Sequence, residues 1–186
     1  MKGQAPLKIV VTGPESTGKS SLCAELARRY DTLWCPEYAR SYLEEKQLPG
    51  HQYTREDLLA IAKGQLKAED QYLARAQQRK DPYLFIDTDM FVMQVWSEVA
   101  FQQCDPYILA EVASRQYDYY LLCNTDLPWA ADPLREYPEE KMRQKLFYHY
   151  HDLLSAQNVP FGIVSGLGAA RVENALSLLE MQFTVG

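Results

Sequence analysis

Leu7-Lys8-Ile9-Val10-Val11-Thr12-Gly13-Pro14-Glu15-Ser16-Thr17-Gly18-Lys19-Ser20 is the stretch that decides the architecture. Its first half is apolar and β-branched and stops at Gly13-Pro14, which predicts a buried strand followed by a loop. Its second half, Gly13 to Ser20, matches the spacing GxxxxGK[ST] in full. Past Lys19, Leu22, Leu26 and Tyr30 recur every fourth residue, with Cys23 and Ala27 beside them, the pattern of an amphipathic helix. Strand, glycine-containing loop and helix in that order are the context a phosphate-binding loop requires. Glycines let successive backbone N–H groups turn inward around an anion, and the helix adds its positive end. Lys19 can then reach the outer phosphates of ATP, and the Ser20 hydroxyl can ligate Mg²⁺. Glu15, Ser16, Thr17, Gly18 and Ser21 complete the candidate ATP-binding set.

Outward from this loop, strands and helices alternate. Thr32 to Cys35, Tyr83 to Ile86, Tyr119 to Cys123 and Val159 to Val164 read as further strands. Thr54, with an acidic residue three positions on, opens a long helix that ends near Lys80 before Asp81-Pro82. Helices are also predicted after Asp87, from Asp105-Pro106, from about Glu139 to Ala156, and from beyond Gly168 to about Phe183. Five strands in this alternation imply a three-layer α/β P-loop fold, a parallel sheet with helices on both faces. With no repeat or linker, residues 1–186 read as a single domain.

The chain's net charge of -6 argues against a nucleic-acid binder, which needs concentrated Lys and Arg. The N-terminus, Met1 to Lys8, has no apolar h-region, and no apolar run reaches the length of a membrane helix. The four cysteines, Cys23, Cys35, Cys104 and Cys123, are widely spaced and read as free thiols in a reducing cytoplasm.

Carboxylates supply the remaining chemistry. Asp87 ends the Leu84-Phe85-Ile86 strand, where a carboxylate faces the magnesium of a P-loop. Asp89 is either a second polar group in the cleft or the cap of the next helix. Glu37 follows the second strand, at the carboxyl edge where ligands of open α/β sheets sit. It is either a base for an acceptor hydroxyl, with Arg40 one turn on, or an ordinary helix N-terminus. Asn124 to Pro138 is a polar connection carrying Trp129 and Arg135. It reads either as a lid that brings cationic charge to the site or as a surface loop.

In combination these segments resemble a known family, the ribosylnicotinamide kinase domain of NadR-type proteins and related stand-alone P-loop ATPase-kinases of NAD metabolism. The matching pieces are GPESTGKSSL at 13–22, PEYARSYL at 36–43, FIDTD at 85–89, YDYYLL at 117–122 and NTDLPWAADPLR at 124–135. The resemblance implies a nucleoside- or nucleotide-kinase-like fold with Asp87 near magnesium and residues 124–138 as the lid. It also implies Glu37 at the acceptor, Trp129, Asp132 and Arg135 in the lid, and Ser165-Gly166 over adenine. Two positions depart from the family. A tryptophan directly precedes the family's glutamate, where this chain has Pro36, with Trp34 two residues earlier than Pro36. A family tyrosine falls in the middle helix, where this chain reads Gly64-Gln65-Leu66-Lys67-Ala68. The length also leaves no room for that family's helix-turn-helix and adenylyltransferase domains.

The expected activity is transfer of phosphate from ATP to a small nucleoside-like acceptor, ribosylnicotinamide or a similar nucleoside. The alternative is a nucleotide-dependent switch that presents its lid to a protein partner. The acceptor is expected between the end of strand two and the middle helix, with Trp34, Trp129 and Tyr38 as the available rings.

Overall fold

The computed structural model describes residues 5–48 and 52–183; Met1–Gln4, within the N-terminal segment read above, fall outside them. Five parallel strands form one sheet in the order β2-β3-β1-β4-β5. They are β1 (Leu7–Thr12), β2 (Trp34–Cys35), β3 (Tyr83–Asp87), β4 (Tyr119–Cys123) and β5 (Phe161–Val164). The helices are α1 (Lys19–Tyr30), α2 (Tyr38–Glu45), α3 (Arg55–Arg79), α4 (Met90–Phe101), α5 (Pro106–Ser114), α6 (Glu140–Ser155) and α7 (Ala169–Phe183). This is the three-layer P-loop architecture that the alternation predicts.

Period-two alternation splits the core between two faces. Ile9, Val11, Phe85 and Leu121 pack under α1 and α7 through Leu22, Leu26, Leu176 and Leu179. Val10, Leu84, Ile86 and Leu122 pack on the other face, against Val92 and Val95 of α4 and Leu146 and Tyr150 of α6. A satellite cluster joins α2 to α5 through Leu43, Ile61, Met93 and Ile108. Burying each such side chain contributes about 1.5–3 kcal/mol.

Two strands are shorter than the sequence suggests, for local reasons. Thr32 closes the turn after α1 by donating its N–H to Ala27 O at 2.9 Å, and the Leu33 N–H is taken by Asp81 Oδ2 at 3.1 Å. The ladder therefore begins at Trp34. At β5, the Gln157 side chain occupies both the N–H and the carbonyl of Val159, and Pro160 has no N–H to give.

β1 lies centrally, with β3 on one side and β4 on the other. The chain moves to one flank for β2 and β3, then crosses to the other for β4 and β5. The carboxyl end of β1 is thus the switch point at which open α/β sheets form their ligand crevice. Among the described residues no helix is long and apolar enough to cross a membrane.

Candidate active site

The loop Gly13–Ser20 leaves the central strand and turns directly into α1. At Gly13, φ is 129°, and a Cβ there would stand 2.9 Å from the Cys123 carbonyl oxygen, so the strand-to-loop turn requires glycine. Inside the loop, Thr17 Oγ1 and Lys19 Nζ both donate to the Pro14 carbonyl, at 2.7 and 2.9 Å. Ser20 and Ser21 line a cleft that begins at the loop and runs past Glu37 and Arg40. Beyond them its walls are apolar: Leu43 of α2, the α4 residues Val92, Val95, Trp96 and Val99, and Leu146 of α6.

Asp87, at the end of β3, is 1% exposed, and neither carboxylate oxygen has a hydrogen-bond partner. Burial, then the neighbouring Glu37 charge, pushes its pKa up to about 6, while Lys19 and Ser20 pull it back. A buried carboxylate left without a partner is costly unless a cation satisfies it, so Asp87 and Ser20 fit a magnesium site. Thr88, next in sequence, sits at φ 77° with its buried hydroxyl also unpartnered. Left-handed backbone at a β-branched residue is a genuine strain. Both Asp89 carboxylate oxygens are engaged within the fold. The side chain caps α4 by accepting the Val92 N–H at 3.4 Å, and it receives the Tyr120 hydroxyl at 3.1 Å. Of the two roles open to Asp89 in the sequence, the structure shows the cap.

Glu37 precedes α2 at the N-cap position, yet its side chain makes no capping bond and lines the cleft instead. Gln65, 1% exposed in the middle of α3, fixes this corner. Its Oε1 accepts the Tyr38 N–H at 2.7 Å, and its Nε2 donates to the Thr88 carbonyl at 3.1 Å. One buried amide thereby holds the Glu37 segment against the Asp87 segment. Sequence reading missed it, because a glutamine inside an apolar helix face carries no signal of what lies opposite.

Residues 124–138 fold down over the phosphate loop. Ala130 N–H donates to Ser16 Oγ at 2.9 Å. Arg135 reaches the same oxygen at 3.4 Å and also holds the Ala130 carbonyl. Glu15 Oε2 receives the N–H groups of Glu136 and Tyr137 at 2.8 and 3.2 Å. Asp132 pairs with Arg40 at 2.8 Å, tying the segment to α2. The guanidinium groups of Arg135 and Arg143 lie 6.0 and 5.8 Å from the Trp129 ring, and Trp129 is not among the residues that line the cleft.

Ser165 and Gly166 meet the other end of that segment. Ser165 Oγ accepts from Asn124 Nδ2 at 3.1 Å, and the Gly166 N–H donates to Asp126 Oδ2 at 2.6 Å. Between them Arg171, 4% exposed, donates to Asp126 Oδ1 at 2.6 Å, to Thr17 O at 2.9 Å and to Asn124 O at 3.1 Å. A lone arginine in a C-terminal helix gave no sequence signal for this role.

The rings expected in the acceptor pocket are elsewhere. Trp34 packs in the layer under α1 and α7, because alternation along β2 sends Cys35 toward α3 and Trp34 to the opposite face. The Tyr38 ring lies on Gly64, where an added Cβ would come within 2.1 Å of it. The aromatic residue of α4 that does line the cleft is Trp96, and α4, not α3, forms that wall.

Comparison with known proteins agrees with this architecture. The trifunctional NAD biosynthesis/regulator protein NadR of Salmonella typhimurium is 27% identical over 159 residues, 82% of this chain and 37% of the relative. The same protein of Escherichia coli is 27% identical over 157 residues. This chain thus spans little more than a third of the length of the curated relatives it matches. The crystal structure of NadR protein in complex with NR superposes with a TM-score of 0.80 at 21% identity, over 100% of this chain and 52% of that one. Deoxyadenosine kinase from M. mycoides superposes with a TM-score of 0.60 at 16% identity, over 94% of this chain and 100% of that one. The fold is that of nucleoside and nucleotide kinases. The family described as AAA domain matches residues 8–171, from the second residue of β1 to the arginine that braces the phosphate loop, and the chain belongs to that family.

Proposed function

We propose that this domain transfers the terminal phosphate of ATP to a hydroxyl of a small nucleoside-like acceptor, with ribosylnicotinamide the first acceptor to try. The observation that carries the reading is a buried, unpartnered carboxylate that feels the charges of the loop lysine and of a second carboxylate on the cleft. Asp87 is buried without a partner near the loop's lysine, and Glu37 is uncapped at the entrance to the apolar chamber.

The residues divide the work. The backbone of Gly13 to Gly18 and the Lys19 ammonium bind the phosphates. Ser20 and Asp87 would hold Mg²⁺, which supplies charge neutralisation at the transferred group. Glu37 accepts the proton as the acceptor oxygen bonds to phosphorus and the bond to the ADP oxygen breaks. Arg135, carried by the lid segment 124–138, adds positive charge, and Asp132 with Arg40 fixes that segment above the acceptor side. Ser165 and Gly166 border the adenine end, with Arg171 holding their loop to the phosphate loop. An apolar chamber continuous with the phosphate loop favours a small acceptor over a macromolecular one. The relatives named for NAD biosynthesis direct the choice toward ribosylnicotinamide.

ATP consumption with a panel of nucleosides, nicotinamide riboside included, with product mass measured, tests this directly. A phosphorylated nucleoside is expected, and Lys19→Ala should abolish its formation. Hydrolysis stimulated by a protein and by none of the nucleosides would replace this reading with the switch.

A further inference from the structure

Trp96 is a large flat side chain on the cleft, which Tyr137 and Tyr150 also line, and its orientation is fixed by a chain of contacts that ends in the phosphate loop. Its indole Nε1–H donates to the Tyr53 hydroxyl oxygen at 2.7 Å. The Tyr53 hydroxyl in turn donates to Glu136 Oε2 at 2.9 Å. Indole can only donate and a carboxylate only accept, so this order has one direction. The Tyr53 ring is 6% exposed and meets the indole edge to face, with centroids 4.9 Å apart and planes at 74°. Burial, together with the Glu136 carboxylate, keeps the phenol well above its usual pKa, so its proton stays in place. The main-chain N–H of Glu136 closes the series on Glu15 of the phosphate loop at 2.8 Å.

We propose that Trp96 is the wall on which the acceptor's base stacks, and that Tyr53 is the positioning residue that sets its plane and links it to the lid. This rests on the phosphotransferase reading above and specifies its acceptor. Val92, Val95 and Val99 beside Trp96 offer no hydrogen bonds, so this wall selects the base by flatness and fit. Stacking adds to what burial of the base alone contributes. A cationic ring gains further on an indole face. Loss of the Tyr53 hydroxyl removes the acceptor of the indole N–H and breaks the bond to the lid carboxylate, while the ring itself remains.

The decisive experiment uses a chain in which Trp34→Phe and Trp129→Phe leave Trp96 as the sole tryptophan. Acrylamide quenching of its emission, with and without Mg²⁺ and a non-hydrolysable ATP analogue, reads whether nucleotide in the loop reaches the cleft wall. A fall in quenching of about twofold is expected on nucleotide binding. Tyr53→Phe and, independently, Glu136→Gln should abolish that fall while leaving nucleotide affinity within about twofold. With otherwise native chain, Tyr53→Phe should raise KM for nicotinamide riboside about five- to tenfold and KM for ATP less than twofold. Adding it to Trp96→Phe should produce no further rise. A nucleotide-dependent fall that survives both variants, or independent effects of Tyr53→Phe and Trp96→Phe on KM, overturns the proposal. If no nucleoside is phosphorylated but the fall occurs and disappears in both variants, the acceptor reading fails and the linkage of Trp96 to the lid stands. A chain that binds no nucleotide overturns both.

Discussion

Arg171 and Thr17 stand 154 positions apart in sequence, and the guanidinium of one donates to the main-chain oxygen of the other at 2.9 Å. This bond braces the phosphate loop from the far end of the domain. The same side chain holds Asp126 and Asn124, so the start of the lid and the loop share one support. Arg171→Met should lower stability by about 2–3 kcal/mol. That is below the cost of breaking a fully buried pair, because Asp126 is 30% exposed and keeps part of its hydration. Nucleotide affinity should fall as well, because the loop's conformation is no longer held. Urea unfolding and calorimetric titration of Mg-ATP measure the two effects.

Asp87 and Glu37 should separate under mutation. Glu37→Gln is expected to leave Mg-ATP binding intact and to slow transfer about 10²–10⁴-fold, the range for a positioned general base. Asp87→Asn is expected to weaken binding that depends on magnesium. Equal binding losses in the two variants would contradict the division of roles.

The Asp87 variant carries a second, opposite effect in the absence of nucleotide. With a folded pKa of about 6, above the ordinary aspartate value, the native state binds the proton more tightly than the unfolded chain. The group therefore favours folding at low pH, and that contribution disappears as pH rises through about 6. At pH 7.5 the buried charge is a burden, and Asp87→Asn should stabilise the free protein by about 1–3 kcal/mol. At pH 5 the gain should shrink. Denaturant unfolding at both pH values decides it.

Arg135→Ala should reduce kcat more than ATP affinity. Its guanidinium is held by Ser16 and Ala130 at the lid's contact with the loop, where charge counts most as the phosphoryl group moves. Steady-state kinetics at saturating acceptor reads the difference.

Gly64→Ala sets helix propensity against packing. Alanine in α3 would gain about 1 kcal/mol by propensity. Its methyl would fall 2.1 Å from the Tyr38 ring, and such overpacking costs about 1–3 kcal/mol. Net destabilisation is expected, with rescue when Tyr38→Ala is added. Thermal unfolding of the single and double variants checks it.

These sites also show what the sequence could convey. Asp87 was legible because an apolar strand ends on it, and Lys19 because glycine spacing and the following helix agree. The wall of the cleft was not legible. Trp34 lies three residues before Glu37, but each step along a strand reverses the face, so it packs behind the sheet. Trp96 reads from its periodicity as one more apolar residue of α4, and only packing reveals that it borders the cleft. Gln65 and Arg171 act on backbone atoms far along the chain, and nothing local distinguishes a glutamine or arginine that does so. The role of Asp89 was open in sequence because capping and ligand binding ask for the same residue type at the same place.

Thr88 carries a consequence for how the site is kept ready. A β-branched residue at φ 77°, with its hydroxyl buried and unpartnered, costs about 1–3 kcal/mol that the surrounding packing must offset. Gln65 at its carbonyl and Val11 at its N–H hold it there in the free protein. The corner is therefore a loaded spring, wound once when the chain folds. A ligand arriving at Asp87 finds it already wound and need not bend the backbone, so reorganisation there is removed from every turnover.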